Sequence, residues 1–253
     1  MVEQLPVLRQ QGFWACAISY DSVDVLAAFA ERFQITYPLL SDVDSAVIQR
    51  FGILNANIPP DHPWHGVPYP GTYLVDAAGQ VVARSFYADH AKRDALARMV
   101  EEDVGVAAAE RGTSQASQDG PVQVRAALSS GTIRPGQVVT LTVELAIAAG
   151  YHLYGQPLPE GYVATELVVD APPDVAVGEV TYPSPTPFQF AALGEVLPAY
   201  AGQVVLKAPI FSRQREDFDL QMHLRYQACD DHECLLPEQL DIALPVHTLP
   251  NVR

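Results

Sequence analysis

The segment Tyr226-Gln-Ala-Cys-Asp-Asp-His-Glu-Cys-Leu-Leu-Pro-Glu-Gln239 carries two cysteines, Cys229 and Cys234, separated by four polar residues. Strand-like residues flank the pair, and four residues is a standard length for a β-hairpin loop. We therefore expect a hairpin in which the cysteines face each other where the strands enter the turn. Opposed Cα atoms in antiparallel strands lie about 4.5 to 5.5 Å apart, a range that a disulfide accepts. A bridge between them needs little backbone movement.

The stabilisation that the bridge would give to the fold helps to distinguish a structural disulfide from a redox dithiol. Closing so short a loop removes little entropy from the unfolded chain, roughly 2 kcal/mol, which favours a redox dithiol over a structural disulfide. The neighbouring Asp230, Asp231 and Glu233 should raise the pKa of both thiols, whereas a protonated His232 would lower it. Because these effects oppose each other, the sequence does not identify the nucleophile.

Zinc binding is a further hypothesis for the same loop. Cys229, His232 and Cys234 could supply three ligands, with Asp230 or Asp231 as a fourth. Structural zinc sites usually draw their ligands from two separate segments, whereas all of these lie on one loop. We therefore expect no metal site and favour the redox dithiol.

The region around the cysteines, residues 122–253, is predicted to be all β. Short segments of alternating apolar and polar residues are separated by proline and glycine turns, and no long helical pattern occurs, which is typical of a β-sandwich. The predicted strands are Val122–Ala126, Gln137–Leu145, Glu166–Asp170, Gln203–Lys207, Asp217–Tyr226 and Gln239–Val246.

Residues 1–104 alternate strand and helix patterns and predict an α/β domain with a parallel strand pair and an added hairpin. Cys16 lies within an apolar run and is expected to be buried and non-catalytic. Small and polar residues at 105–121 predict a linker. The predicted elements are an apolar strand Phe13–Tyr20, a helix capped by Asp21 or Ser22, a strand Pro38–Leu40, a helix starting at Asp44 or Ser45, hairpin strands Thr72–Asp76 and Val81–Phe86, and a helix Asp89–Val104.

The overall composition excludes some classes of function. A formal net charge of −15 repels phosphate backbones and anionic lipid head groups, so we expect no nucleic-acid partner. No stretch approaches the roughly 18 to 20 apolar residues of a membrane helix, and we expect no membrane insertion. No secretory signal pattern follows Met1.

Residues of about 120–250 resemble the amino-terminal, immunoglobulin-like domain of the DsbD thiol:disulfide interchange family. The resemblance is carried by Tyr226–Asp231 with its second cysteine, and by Tyr151–Gly155 and Val180–Phe188 upstream. It implies that Cys229 and Cys234 are an exchanging pair shielded by an aromatic cap, for which Phe188 or Phe190 is the candidate. We expect Phe188, Phe190 and His232 to be partner-binding residues beside this pair. The resemblance also implies an extracytoplasmic location, although the compartment stays open.

Residues of about 5–104 resemble the AhpC/TSA branch of the thioredoxin-like superfamily. The resemblance is carried by Ala17–Ser22, Ile35–Asp42, Phe51–Ile53 and Val67–Asp76. It implies a cis-proline at Pro70, which with Tyr69 and Gly71 would leave a backbone edge free to bind a partner peptide.

The resemblance to the AhpC/TSA family fails at the reactive cysteine. Such domains carry it at the start of their first long helix, where the helix amino terminus lowers its pKa. Residues 2–10 resemble the later part of that helix. We therefore expect an incomplete thioredoxin-like domain that lacks the first strand and the active-site turn, and we expect no peroxidase activity.

The preferred function is thiol–disulfide oxidoreduction through Cys229 and Cys234, without an organic cofactor or metal. The expected partners are thioredoxin-like or other thiol and disulfide proteins. One alternative is a non-catalytic binding module with a degenerate redoxin domain and a structural disulfide. A second is a fragment of a peroxiredoxin-like antioxidant enzyme.

Overall fold

The computed structural model describes residues 5–106, 115–117, 120–190 and 194–250, without the side chains of Val7, Phe190 and residues 115–117. It divides the chain into two units, Met1–Leu96 and Ala97–Asn251. An α/β unit followed by a β-sandwich confirms the predicted fold class. The predicted boundaries at residues 104 and 122 stay predictions, and the predicted linker lies largely outside the described residues.

The first unit contains a parallel strand pair and a separate antiparallel hairpin. Ile18 pairs with Leu40 in the parallel pair β1–β2, and Thr72 pairs with Ser85 in the hairpin β3–β4. The elements are α1 (Leu5–Gln10), β1 (Ala17–Ser19), α2 (Val23–Arg32), β2 (Leu39–Ser41), α3 (Ala46–Arg50), β3 (Gly71–Val75), β4 (Val81–Phe86) and β5 (Arg93–Asp94).

Side-chain caps begin the two central helices of this unit. The Ser22 hydroxyl accepts the N–H of Val25 at 3.4 Å, as predicted for the start of α2. Ser45 is the residue before α3, but its hydroxyl donates to the Gly66 carbonyl instead. The cap of α3 comes from the Asp42 carboxylate, which accepts the N–H of Ile48 at 2.8 Å.

Two predictions for the first unit are wrong in extent. The strand predicted over Phe13–Tyr20 contains only β1, because its hydrogen bonding with β2 begins at Ala17. Cys16 precedes the strand and is exposed, not buried. The helix predicted from Asp89 is delayed because the Asp89 carboxylate accepts the N–H of Ala91 at 2.9 Å and forms a turn.

The predicted cis-proline is also wrong. Within the described residues the only cis peptide bond joins Gln156 to Pro157, so Pro70 is trans. The N–H of Tyr69 donates to the Ile53 carbonyl at 2.6 Å, and Gly71 already pairs with Phe86 in the hairpin. The backbone on either side of Pro70 is therefore already paired within the first unit and does not form a free edge beside a cis-proline.

The second unit contains three sheets with the strand orders β12-β15-β9-β7-β6, β11-β16-β18-β8 and β13-β14-β10-β17. All six strands predicted from the sequence are present. The elements are α4 (Leu96–Met99), a π-helical turn (Val100–Val104), β6 (Gln115–Ser117), β7 (Val122–Leu128), β8 (Thr132–Ile133), β9 (Gln137–Ile147), β10 (His152–Tyr154), β11 (Glu166–Asp170), β12 (Val175–Val177), β13 (Thr186–Phe190), β14 (Glu195–Tyr200), β15 (Gln203–Ser212), β16 (Phe218–Tyr226), β17 (Ala228–Cys229) and β18 (Glu238–Thr248).

Alternating side chains of the long strands build the core of the sandwich. On β16, Leu220, Met222 and Leu224 are fully buried while the residues between them are more exposed, as the pleat requires. β9 is buried along most of its length and pairs with both β7 and β15. The short strands β10 and β17 lie in the third sheet, which carries the cysteine pair.

Among the described residues, no helix has both the length and the apolar character needed to cross a bilayer.

Candidate functional site: the Cys229–Cys234 disulfide

Cys229 and Cys234 form a disulfide across the mouth of a tight hairpin, with their Cα atoms 4.0 Å apart. The N–H of Leu235 donates to the Ala228 carbonyl, and the N–H of Asp230 donates to the Glu233 carbonyl, both at 2.9 Å. These bonds flank the cysteines, which therefore oppose each other as a non-hydrogen-bonded pair. This is the hairpin that the spacing predicts.

The loop between the cysteines is held by Asp230. Its carboxylate accepts the backbone N–H groups of His232 at 2.7 Å and Glu233 at 2.8 Å. These two bonds lower the pKa of Asp230 and keep it ionised. Asp231, His232 and Glu233 are exposed, so the loop presents negative charge to solvent beside the disulfide.

The two cysteines differ in exposure. Cys229 belongs to β17, lies opposite His152 of β10 and is only 1% exposed, whereas Cys234 is exposed. The accessible end of the bridge is therefore Cys234.

Tyr154 touches both sulfurs. Its hydroxyl oxygen lies 3.4 Å from Sγ of Cys234 and 3.4 Å from Sγ of Cys229. Since a disulfide carries no hydrogen, the phenol is the donor in this contact. Burial first, and then the charge of Glu195, raise the pKa of Tyr154, so the hydroxyl keeps its proton at neutral pH.

An aromatic shell surrounds this contact. Tyr154 and Cys229 form one buried cluster with Leu197 and Ala199 of β14. The ring of Phe188 packs against the cluster, and its centroid lies 3.7 Å from the centroid of the His152 ring. A role of Phe188 as a cap stays a prediction, and the side chain of Phe190 lies outside the described residues.

Of the other predicted binding residues, His232 is exposed in the loop between the cysteines, and the remaining three lie in the first unit. Tyr69 and Pro70 precede β3, and Gly71 begins it. A Cβ on Gly71 would lie 2.2 Å from the Phe86 ring, so local packing alone requires glycine there. A role of these residues in partner binding stays a prediction.

Sequence reasoning did not single out Tyr154 as a site residue. Tyr151–Gly155 entered only as part of the family resemblance, and the pairing of β10 with β17 is what brings Tyr154 beside the cysteines. Tyr162 and Glu195 were also missed, since they lie in a loop and at the end of a hairpin, where no periodic pattern marks them.

In the oxidised pair that the structure shows, neither Cys229 nor Cys234 is a thiolate, so this form lacks the two sulfur ligands that the zinc hypothesis requires. Within the described part of the chain, no group of three or more His, Cys, Asp or Glu side chains is arranged to hold a metal ion.

Comparison with known families follows the division into two units. Residues 118–245, just over half of the chain, match the family model of the thiol:disulfide interchange protein DsbD, N-terminal. The chain belongs to this family. Residues 1–84 match the AhpC/TSA family model. Both resemblances are thereby confirmed. A DsbD-type domain, a redoxin-type domain and a disulfide place the chain among thiol–disulfide redox proteins.

Solved structures similar to the chain include DsbD-type domains. The N-terminal periplasmic domain of ScsB from Proteus mirabilis is 22% identical with a TM-score of 0.39, over 53% of this chain and 51% of that one. The reduced DsbD N-terminal domain of Neisseria meningitidis is 18% identical with a TM-score of 0.31, over 42% and 77%. The chain thus covers about half of the ScsB domain.

A third similar structure is a complex between the DsbD N-terminal and PilB N-terminal domains of Neisseria meningitidis. It is 16% identical with a TM-score of 0.30, over 41% of this chain and 73% of that one. No curated protein matches the chain.

Proposed function

We propose that the chain exchanges disulfides with partner proteins through Cys229 and Cys234, with Cys234 as the sulfur that partners attack. The observation that carries the proposal is the asymmetry of the bridge. One cysteine is exposed, the other is buried, and a protonated Tyr154 hydroxyl lies 3.4 Å from each sulfur.

The first step is attack by a partner thiolate on Sγ of Cys234. A bond forms between the partner sulfur and Cys234 while the Cys229–Cys234 bond breaks, and its electron pair leaves on Cys229 as a thiolate. A second thiolate of the partner then attacks the partner sulfur of the mixed disulfide and releases Cys234. The chain ends as a dithiol, and the partner ends oxidised.

Tyr154 lowers the main energetic cost of this step, which is the formation of a buried thiolate. A thiolate formed on Cys229 is buried, and a buried charge without a hydrogen bond is costly. The Tyr154 hydroxyl is already within reach of that sulfur and can donate to it as the charge develops. In the reverse direction, Cys234 attacks a partner disulfide and Cys229 resolves the mixed disulfide.

Phe188 is proposed as the cap that limits access to the pair. It packs against the cluster that contains Cys229 and is only half-buried, so its ring can be displaced by a docking protein. The proposed partners are thioredoxin-like or other dithiol proteins. A complex between DsbD N-terminal and PilB N-terminal domains supports a protein partner for members of this family.

Exchange with a protein dithiol tests the proposal. The oxidised chain is mixed with reduced thioredoxin as a probe, quenched with acid, alkylated and analysed by mass spectrometry. We expect Cys229 and Cys234 to be alkylated as thioredoxin becomes oxidised, and a Cys229→Ser/Cys234→Ser variant to leave thioredoxin reduced. A bridge that stays intact in native protein and opens only after denaturation would indicate a binding module with a structural disulfide.

A further inference from the structure

Leu236 is a large apolar side chain that lies exposed beside the accessible end of the disulfide. It is 85% exposed, and among the described residues of the second unit no other large aliphatic or aromatic side chain is as exposed. Partly exposed apolar residues are ordinary on a protein surface. A leucine held almost wholly in solvent two residues from an exposed sulfur gains nothing from packing within the chain. Contact with a partner would explain its position.

The pleat of the chain places Leu236 on the same face as Cys234. The N–H of Leu235 donates to the Ala228 carbonyl, so the antiparallel pairing continues past the cysteines. Alternate side chains of such a segment share a face. Exposure follows this alternation, since Cys234 and Leu236 are exposed while Leu235 is half-buried.

This placement separates protein partners from small thiols. Residues two apart in a strand have Cα atoms about 7 Å apart. A protein that brings a sulfur within bonding distance of Cys234 therefore covers Leu236 as well. A small thiol can reach Cys234 without touching Leu236.

The other side of Cys234 carries negative charge. Asp231 and Glu233 are exposed there, and the carboxylate of Asp230 accepts two backbone N–H groups of the loop. Residues 227–237 contain no lysine or arginine that could neutralise these acids. Charge complementarity therefore favours a partner with lysine or arginine at this side of the contact.

We propose that Leu236, Asp231 and Glu233 form a recognition surface around Cys234 that selects one class of partner. That class is dithiol proteins whose reactive cysteine is flanked by an apolar side chain and by lysine or arginine. The inference rests on the proposed exchange function and names its substrate class. Leu236 is a specificity-determining residue, because it contacts the partner and not the reacting sulfurs. Its burial supplies affinity, and the acids supply orientation and speed of association.

Four synthetic dithiol peptides with blocked ends probe this surface. Each contains one Cys-Gly-Pro-Cys segment, preceded by phenylalanine or serine and followed by two lysines or two glutamates. Every peptide supplies both thiols, so it ends as a disulfide and the chain ends as a dithiol. Rate constants for reduction of the native oxidised chain are corrected for the thiolate fraction of each peptide. Dithiothreitol serves as the small reductant.

The variants separate the apolar part of the surface from the acidic part. Leu236→Ala removes the exposed apolar side chain, and Asp231→Asn/Glu233→Gln removes two charges and keeps the shape of both side chains. Val168→Ala is the apolar control, since Val168 is an exposed residue of β11 in another sheet. Asp219→Asn, on β16 of that same sheet, is the charge control.

In the wild type the phenylalanine peptides should react about threefold to tenfold faster than the serine peptides, as expected for partial burial of one apolar side chain. Leu236→Ala should bring this ratio close to one, and Val168→Ala should not change it. The lysine peptides should exceed the glutamate peptides about threefold to tenfold at low salt. That advantage should persist in Leu236→Ala and Asp219→Asn and disappear in Asp231→Asn/Glu233→Gln. Dithiothreitol should reduce Leu236→Ala at the wild-type rate.

Three results would overturn the recognition surface while leaving exchange intact. The first is a phenylalanine-to-serine ratio that survives in Leu236→Ala or is one in the wild type. The second is an equal slowing of Leu236→Ala with dithiothreitol, which would show that Leu236 affects the disulfide itself. The third is a lysine advantage that is absent in the wild type or that Asp219→Asn removes equally. A native wild-type bridge that opens with neither the peptides nor dithiothreitol would instead contradict the proposed function.

Discussion

The hydroxyl of Tyr154 lies 3.4 Å from the sulfur of the buried Cys229 and at the same distance from the sulfur of the exposed Cys234. A single proton donor is thereby shared by the two sulfurs of the bridge. Because Cys229 is buried and Cys234 is exposed, the two ends of the bridge differ in their access to solvent, although the cysteines face each other across one hairpin.

Replacing Tyr154 by phenylalanine should slow reduction of the disulfide by dithiothreitol about tenfold, because the Cys229 thiolate loses its donor. Stopped-flow reduction of the oxidised chain at a fixed pH measures this rate. Tyr151→Phe, the same change three residues earlier, is the control, and a Tyr154→Phe rate equal to the wild-type rate would remove the proposed role.

The difference in exposure between Cys234 and Cys229 predicts which of the two reacts faster with a thiol reagent when it is present alone. In a Cys16→Ser background, needed because Cys16 is itself exposed, Cys229→Ser leaves Cys234 and Cys234→Ser leaves Cys229. We expect Cys234 to react with Ellman's reagent at least about tenfold faster than Cys229, since thiol reactivity follows accessibility. Equal rates in native protein, or faster reaction of Cys229, would reverse the assignment. Rates in urea should coincide and serve as the control.

The acidic loop predicts selectivity among small thiols. Asp231 and Glu233 are exposed beside Cys234, and Asp230 is held ionised. After correction for thiolate fraction, cationic cysteamine should reduce the bridge about threefold to tenfold faster than anionic mercaptoacetate at low salt. The ratio should shrink at about 0.5 M salt.

The corresponding variants separate this local charge from the net charge of the chain. The double variant Asp231→Asn/Glu233→Gln should lower the ratio of the reduction rates with cysteamine and mercaptoacetate. Asp219 is an exposed acid of β16, and Asp219→Asn should leave this ratio unchanged. Equal narrowing in both variants would show that the loop has no special effect.

Much of the sandwich is predictable because its long strands carry local periodic signals. β16 alternates buried and exposed residues over nine positions, and its predicted start is off by one residue. β10 and β17 have three and two residues, too few for any alternation to be recognised, and they are the strands that assemble the site. The helix predicted from Asp89 failed because a side-chain turn competes with helix formation.

The site residues also differ in whether the nearby sequence predicts them or only the pairing of distant strands brings them together. Cys229 and Cys234 are close in sequence, so their spacing alone predicts the bridge. Tyr154 lies 75 residues before Cys229 and reaches it only through the pairing of β10 with β17. The exposure difference between the cysteines also depends on this pairing, so no pattern in the segment 226–239 could indicate it.

A surface histidine predicts part of the pH dependence of stability. His223 Nδ1 lies 2.7 Å from Asp241 and its Nε2 lies 3.4 Å from Asp170. The hydrogen bond with Asp241 is the main cause that raises the pKa of His223. Because the folded pKa lies above the unfolded value of about 6.5, the stabilisation is fully present below that value and is lost as pH rises through the folded pKa.

His223→Gln should therefore lower the free energy of unfolding more at about pH 5.5 than at about pH 8.5, two values that bracket the ordinary histidine pKa. Urea unfolding at both values measures the difference. A loss of equal size at both pH values would mean that the charge of His223 does not matter.

The reduction potential of Cys229–Cys234 tests the exchange function most directly. Equilibration with glutathione redox buffers, followed by alkylation and mass spectrometry, gives the value in the native chain. We predict a potential between about −270 and −120 mV, the range of thioredoxin-like proteins that exchange disulfides. A potential below about −300 mV would contradict the account, because such a bond resists cellular thiols and serves only as a structural bridge.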